Sequence, residues 1–237
     1  MEILDCIKTE LGNTIELIGE PAKENILIVG AVHGDEPQGK YFIEEYLQKR
    51  YRFNTLSQVK TPRLNLFEKG VLFIPCLNPD GLSLKRRTNS NNVDINRNFP
   101  TKNWGKNEGE NATCDDESTN YYGGKSGGGE IETRFLMDTI NEYAPSLVMT
   151  IHAPYKVVNY DGPAKEIAEK ISNIIKYPVE ASIGYSTPGS LGTWAGVERN
   201  IPTITLEVDE KIQVQQLVEP IFEVFDMLFS NQNQNIM

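Results

Sequence analysis

The sequence predicts an α/β fold, because short apolar runs with strand character alternate with segments that have one apolar helical face. Four such runs begin at Asn25, Val71, Ser146 and Thr203, and polar or turn-forming residues follow the first three. Open α/β sheets bind their ligands at the carboxyl ends of the strands, so we expect the functional residues at that edge. The expected architecture is a single domain over residues 1–237, with a mixed, mostly parallel sheet and helices on both faces.

Helices are predicted over residues 39–51, 130–143, 164–175 and 220–229. In the first of them, Phe42, Ile43, Tyr46 and Leu47 recur at helical spacing and form one apolar face. Pro220 suits the first position of the last helix.

An outer strand is predicted at residues 14–18, and a turn at residues 78–81, which read Asn-Pro-Asp-Gly. Asn78 and Asp80 are alternatively candidate ligands, although these residue types more often serve as plain turn formers. The C-terminal residues NQNQNIM are expected to fray.

The composition excludes several classes of partner. A net charge of -10 and a pI near 4.8 argue against a surface for nucleic acid or an anionic membrane, since both need clustered positive charge. The first ten residues carry acids where a secretory signal would carry bases, and no apolar run is long enough to span a membrane. Cys6, Cys76 and Cys114 lack metal-binding spacing. We therefore expect a soluble, cytoplasmic protein with reduced thiols.

The two histidines of the chain occupy equivalent places. His33 follows the first apolar run and His152 follows the third, so two strands of one sheet would bring them together. Glu36 is separated from His33 by two residues, and a zinc site for hydrolysis uses His, His and Glu with one open position. A lone histidine at a strand end is more often hydrogen-bonded than a ligand, but the three residues together predict a metal site.

A long polar segment between residues 84 and 130 is the kind of connection that is either functional or disordered. It places Arg86, Arg87 and Arg97 together in an otherwise acidic protein, and guanidinium groups pair with carboxylates and developing oxyanions. A solvated run of charge is the alternative. Asp94, between two aliphatic residues, favours function because a carboxylate there can orient a ligating histidine.

Two further candidates rest on position. Glu207 lies in the fourth apolar run, on the same face as Thr203 and Thr205. It is either a solvated glutamate on an edge strand or a carboxylate that takes a proton from water at zinc and passes it to the leaving amine, and the pattern favours neither. Tyr185 lies in residues 182–194, whose Gly, Ser and Pro content is typical of a binding loop.

Together these residues resemble the zinc carboxypeptidase family. The shared motifs are HGDE, VDINRNF, the IH at a strand end, STPGSLGTW and TLEV, in the family's order. The resemblance implies a zinc carboxypeptidase-like catalytic domain over residues 1–237, with one Zn²⁺ bound by His33, Glu36 and His152. It also implies that Asp94 holds the first histidine.

The same resemblance implies the catalytic and substrate-binding roles. Glu207 would be the general base and acid, and Arg87 would stabilise the oxyanion. Asn96 and Arg97 would grip the terminal carboxylate of the substrate. Tyr185 corresponds to the mobile active-site tyrosine of the digestive members.

Within the family the chain is similar to the murein peptide amidases, cytoplasmic enzymes that cut the γ-D-glutamyl bond to diaminopimelate in recycled cell-wall peptides. The similarity lies in the short length, HGDE, NPDG, RxNxxxVDxNRNFP and GYxTPGSxGxW. It ends at GEIET, where those amidases have a SEPET-like segment, and at Ala153-Pro154, where they have an acidic residue. We expect a hydrolase of small cell-wall peptides.

Two other functions match part of the pattern. Small-molecule deacylases of the aspartoacylase and succinylglutamate desuccinylase kind resemble this chain in an HGxE loop, a DxNR segment and a later histidine. The GYSTPGSLGTW loop argues against them. A catalytically inactive protein that binds cell-wall fragments is the second alternative, and the presence of every ligand and of Glu207 argues against it.

Overall fold

Eight strands of the computed structural model form one continuous sheet. The structure describes residues 1–56, 69–105, 121–181 and 187–230, and the elements below are those of these residues. The strands are β1 (Glu2–Lys8), β2 (Thr14–Glu20), β3 (Asn25–Gly30), β4 (Gly70–Ile74), β5 (Leu147–His152), β6 (Val157–Asp161), β7 (Val179–Glu180) and β8 (Thr203–Glu207). The helices are α1 (Gln38–Leu56), α2 (Pro79–Leu84), α3 (Ile131–Tyr143), α4 (Lys165–Ile175) and α5 (Val218–Phe229). Short 3-10 segments span Ile95–Arg97 and Val214–Leu217, and a π-helix spans Gly192–Val197.

Four parallel strands form the centre of the sheet. The strand order is β1-β2-β4-β3-β5-β8-β6-β7, in which β4, β3, β5 and β8 are parallel neighbours. The pairs β1 with β2, β2 with β4 and β6 with β8 are antiparallel, whereas β6 and β7 are parallel. The prediction of a mixed, mostly parallel sheet is confirmed, and the carboxyl ends of the central strands meet at one edge.

Both faces of the central strands are buried, which explains their uninterrupted apolar runs. Successive side chains of a strand point to opposite faces. Ile26 and Ile28 therefore join the core under α1, α4 and α5, while Leu27 and Val29 join the core under α3. The predicted helices on both faces are confirmed. Within the described part of the chain, no helix is both long and apolar enough to cross a membrane.

The segment predicted as a turn at residues 78–81 instead begins a helix. The side-chain oxygen of Asn78 accepts a hydrogen bond from the backbone of Gly81 at 2.8 Å, and Pro79 occupies the first helical position of α2. Asp80 accepts hydrogen bonds from the turn between β1 and β2. Both side chains are therefore used in hydrogen bonds that hold α2 and the β1–β2 turn, and we assign both to the fold.

Other boundaries also differ from the prediction. Helix α5 begins at Val218, so Pro220 is its third residue, which is tolerated because amides of the first turn lack partners within the helix. Strands β1, β6 and β7 were not predicted. The segment predicted as a loop at residues 182–194 overlaps the start of the π-helix. Residues 182–186 of that segment lie outside the described residues, and so do the C-terminal residues 231–237, which were predicted to fray.

Candidate metal centre and substrate groove

The sheet register brings the two histidines to the carboxyl edge. Strands β3 and β5 are parallel neighbours in which Gly30 pairs with Ile151, so His152 ends β5 beside the point where the chain leaves β3. His33 lies three residues beyond Gly30. Both rings are buried, with centroids 4.7 Å apart. The sequence therefore placed the pair correctly, because both buried strands could be read from their apolar runs.

A tight turn carries Glu36 back toward His33. The amide of Glu36 donates to the carbonyl of His33 at 3.2 Å, and the amide of Gly34 donates to the carbonyl of Arg87 at 3.2 Å. A Cβ atom at Gly34 would lie 2.0 Å from the carbonyl carbon of Gly81 in α2, so only glycine fits there. The HGDE loop is thus fixed between the sheet and α2.

Three potential ligands converge at this edge. Nδ1 of His33 lies 2.9 Å from Oε1 of Glu36, and Nδ1 of His152 lies 2.9 Å from Oε2 of the same carboxylate. The two Nδ1 atoms are 3.1 Å apart. Ligand atoms about 2.1 Å from a tetrahedral zinc ion lie about 3.4 Å from each other, so this donor set has the composition and nearly the spacing of a zinc site.

Asp94 contacts the far side of the His33 ring. Its Oδ1 lies 3.1 Å from Nε2 of His33, and its Oδ2 accepts a hydrogen bond from Nε of Arg87 at 2.9 Å. Burial alone would raise the pKa of Asp94, but Arg87 and His33 hold that pKa well below its ordinary value. The ionised carboxylate fixes the histidine with Nδ1 facing the other ligands.

The arginine segment supplies two guanidinium groups to the site. Nη1 of Arg87 lies 3.4 Å from Oε1 of Glu36. Arg97 is only 1% exposed, and its Nη1 donates to the carbonyl of Asn96 at 2.8 Å. Among the described residues no carboxylate forms an ion pair with Arg97, and its buried Nε has no hydrogen-bond partner. The ring of Tyr121 lies beside both guanidinium groups, 5.3 Å from Cζ of Arg87 and 5.6 Å from Cζ of Arg97.

Asn96 links this segment to the loop before the π-helix. Its side-chain oxygen accepts a hydrogen bond from the amide of Leu191 at 2.9 Å, and its backbone amide donates to Oδ1 of Asp94 at 2.9 Å. Because the oxygen is used in this way, the NH₂ of Asn96 remains as a donor beside Arg97. Arg86, in contrast, bonds to the carbonyl of Asn89 and does not line the cavity.

Glu207 is adjacent to His152 in the sheet. The two residues are register partners in β8 and β5, and β8 lies between β5 and β6, so it is not an edge strand. Glu207 is 6% exposed, and its Oε2 has no hydrogen-bond partner among the described residues. Burial raises the pKa of its carboxyl group, an effect that His152 partly offsets. The reading as a solvated glutamate on an edge strand is wrong.

These side chains open on one cavity of about 470 Å³. Its wall includes the three potential ligands and the predicted residues Arg87, Asn96, Arg97 and Glu207. Tyr185 lies outside the described residues. Sequence reasoning missed Tyr121 and Asp161, which also line the cavity. Tyr121 lies within the long polar segment, which has no periodicity, and Asp161 lies on the unpredicted strand β6.

A sequence model of a family described as zinc carboxypeptidase matches residues 8–221. The chain belongs to the zinc carboxypeptidase family. Murein peptide amidase A of Escherichia coli (strain K12) is 33% identical over 191 residues, which cover 78% of this chain and 72% of that protein. Murein peptide amidase A of Vibrio campbellii (strain ATCC BAA-1116) is 34% identical over 136 residues, covering 56% and 54%.

Solved structures share the fold of this zinc carboxypeptidase. The crystal structure of murein-tripeptide amidase MpaA from Escherichia coli O157 matches with a TM-score of 0.73 at 27% identity, covering 96% of this chain and 91% of that chain. Thrombin activatable fibrinolysis inhibitor matches with a TM-score of 0.72 at 16% identity, covering 95% and 67%, which is a likeness of fold alone. Membership of this family and the similarity to murein peptide amidases indicate that the protein is a hydrolytic enzyme. The family is zinc-dependent, and His33, Glu36 and His152 form a possible metal site.

Proposed function

We propose that this zinc carboxypeptidase hydrolyses the amide bond between γ-D-glutamate and diaminopimelate in small cell-wall peptides. The observation that carries the proposal is the convergence of His33, Glu36 and His152 at one end of a groove that also contains Glu207 and two arginines. The similarity to murein peptide amidases supports the choice of substrate. In this proposal residues 1–237 act as one catalytic domain with one zinc ion.

The three converging residues would hold the ion. Zinc, when bound, polarises the scissile carbonyl and lowers the pKa of water. Glu207 would accept the proton of the attacking water and donate it to the leaving amine. Its burial beside His152 supports this role, because the raised pKa makes the carboxylate a stronger base toward water than an exposed glutamate would be.

The arginines would act on two different oxygens of the substrate. Arg87, held by Asp94, would stabilise the negative charge that develops on the carbonyl oxygen. Arg97 and the NH₂ of Asn96 would bind a terminal carboxylate, since Arg97 is buried without an ion pair in the described part of the protein. The substrate would therefore lose its terminal amino acid.

We place the reaction in the cytoplasm, where peptides returned from the cell wall would be recycled. The described cysteines, Cys6 and Cys76, are free thiols, which agrees with a reducing compartment. The acidic net charge supports a small peptide as partner over nucleic acid or a membrane surface.

The deciding experiment compares kcat/KM for L-alanyl-γ-D-glutamyl-diaminopimelate with kcat/KM for matched α-linked peptides that end in lysine or phenylalanine. We expect the γ-linked peptide to be preferred and a chelator to abolish turnover. N-acetylaspartate serves as a control for deacylase activity and should not be hydrolysed. Preference for either α-linked peptide would overturn the cell-wall assignment and leave a zinc peptidase, whereas turnover of N-acetylaspartate alone would favour the deacylase.

A further inference from the structure

One aromatic ring contacts both arginines of the groove. The Cζ atom of Arg87 lies over the ring of Tyr121 at 5.3 Å from its centroid, and the Cζ atom of Arg97 lies over the same ring at 5.6 Å. A guanidinium group within about 6 Å of a ring centroid is attracted by the quadrupole of the ring. Tyr121 also lines the cavity. The ring therefore joins the two cations that would act on different oxygens of the substrate.

The chain that carries this ring is bonded to the arginine segment. The carbonyl of Tyr122 accepts a hydrogen bond from the amide of Asp94 at 2.8 Å. The carbonyl of Gly123 accepts one from Nδ2 of Asn98 at 2.7 Å. Gly124 has a φ of +87°, and a Cβ atom there would lie 2.8 Å from Nδ2 of Asn98, so glycine permits the close approach. The ring is thus placed by the same segment that carries the two arginines.

The two arginines differ in their other contacts. Arg87 donates to Asp94 through Nε and lies near Glu36 through Nη1. Arg97 donates to the carbonyl of Asn96, and its Nε has no hydrogen-bond partner in the described part of the chain. Two guanidinium groups on one wall of a cavity repel each other, and the negative faces of an aromatic ring reduce that repulsion. The ring is therefore well placed to fix where both guanidinium groups lie.

We propose that Tyr121 is a positioning residue that keeps the guanidinium groups of Arg87 and Arg97 at the separation that one substrate residue requires. The inference rests on the roles proposed for the two arginines and adds the group that couples them. A single residue separates the scissile carbonyl oxygen from the terminal carboxylate, so the substrate fixes the distance between its two binding points. Cations that are already in place need little rearrangement when the substrate binds or when charge develops.

Variants of Tyr121 distinguish the ring from the hydroxyl group. Tyr121→Phe keeps the ring, so we expect kcat and KM close to those of the wild type. Tyr121→Leu and Tyr121→Met keep an apolar side chain without a ring, and kcat/KM for the diaminopimelate tripeptide should fall about tenfold or more, through a lower kcat and a higher KM together. Two variants without the ring are used so that poor folding of one does not decide the result. Tyr41→Leu is the matched control, since Tyr41 is half-buried on α1 and does not line the cavity.

Double-mutant cycles separate positioning from general damage to the fold. In the Arg97→Gln background no guanidinium group remains at that position, so Tyr121→Leu should no longer raise KM but should still lower kcat through Arg87. In the Arg87→Gln background Tyr121→Leu should raise KM without a further loss of kcat. A ring that only stabilised the fold would change both constants equally in every background.

The test does not depend on the cell-wall assignment. The cycles use whichever peptide with a free terminal carboxylate is hydrolysed, γ-linked or α-linked. Calorimetric Kd of the diaminopimelate tripeptide for Glu207→Gln protein reports carboxylate binding without turnover, and adding Tyr121→Leu should raise that Kd at least about threefold, whereas adding Tyr121→Phe should not. Unchanged constants in a folded variant without the ring, equal losses in Tyr121→Phe and Tyr121→Leu, or full additivity in both cycles would overturn the proposal.

Discussion

At the scale of single residues, the site consists of side chains whose neighbours determine what each can do. Asp94 contacts His33 with one oxygen and Arg87 with the other, so one buried carboxylate positions a potential metal ligand and a cation together. Glu207 is adjacent to His152, yet one of its oxygens has no hydrogen-bond partner among the described residues. This oxygen is itself buried, and burial of an unpaired carboxylate oxygen favours the protonated carboxyl group, which agrees with the raised pKa of Glu207.

Glu207→Gln should separate proton transfer from metal binding. The amide keeps the shape of the side chain but cannot accept the proton, so we expect turnover to fall by a factor on the order of a hundred or more. Zinc content should be unchanged because Glu207 is not among the three converging ligands. Steady-state kinetics and metal analysis on the same preparation check both parts. Near wild-type turnover would remove Glu207 from the mechanism.

The arginines should differ in the kinetic constant that each affects. Arg87→Gln should lower kcat, by about a hundredfold, because charge on the carbonyl oxygen develops only in the transition state. Arg97→Gln should mainly raise KM, since the terminal carboxylate is present in the bound substrate and in the transition state alike. Kinetics on the diaminopimelate tripeptide test both variants, and the reverse pattern would mean that the two roles are exchanged.

At the scale of elements, helix α3 supports the segment that carries the arginines. Glu132, in the first turn of α3, is 1% exposed and accepts a hydrogen bond from Nδ2 of Asn89 at 3.2 Å. The side-chain oxygen of Asn89 in turn accepts hydrogen bonds from the amides of Asn91 and Val93, which shapes the chain between Arg87 and Asp94. The geometry of the site therefore depends on a buried glutamate outside the cavity.

Glu132 should make the stability of the protein depend on pH. Burial raises its pKa to about 7, with Glu130 and Asp80 adding to the effect. Because the pKa is higher in the folded state, the neutral form stabilises the fold at low pH, and this contribution is lost as pH rises through about 7. Above that pH the ionised group lowers the free energy of unfolding by on the order of 3 kcal/mol relative to low pH.

The measurement is denaturant unfolding of the wild type and Glu132→Gln at pH 5 and pH 9. We expect the variant to gain stability relative to the wild type at pH 9 and to be close to it at pH 5, because glutamine keeps the bond from Asn89 without a charge. Glu166→Gln, in the exposed first turn of α4, is the matched control and should follow the wild type. An identical pH dependence in Glu132→Gln and wild type would contradict this account.

The elements that sequence reasoning found and missed differ in burial. Strands β3, β4 and β5 were found because strands covered on both faces are mostly apolar runs. Strand β8 was found from its β-branched residues and its alternation of polar with apolar side chains. Strand β1 is exposed along most of its length and has no such run. Strand β6 carries Asn159 and Asp161 on its groove face, so the residues that line the site also obscure the strand in the sequence.

At the scale of the whole molecule, the site depends on contacts between residues far apart in the sequence. His33 and Asp94 are 61 residues apart, and His33 and His152 are 119 apart. The motifs singled out the three residues that converge at the sheet edge. The neighbour relations of β5 with β8 and of β8 with β6 come only from the sheet order. This order places Glu207 beside His152 and Asp161 at the other end of the groove, which is why the sequence left Glu207 undecided and Asp161 unnoticed.

The metal centre is the central claim of this account, and zinc analysis of the His152→Ala variant tests it most directly. His33 and His152 are the chain's two histidines, so the variant removes half of the imidazole ligands while Glu207→Gln provides a matched control with an intact ligand set. We expect about one zinc ion per chain in the wild type and in Glu207→Gln, and its loss in a folded His152→Ala protein. Stoichiometric zinc retained by His152→Ala would contradict the assignment of the site.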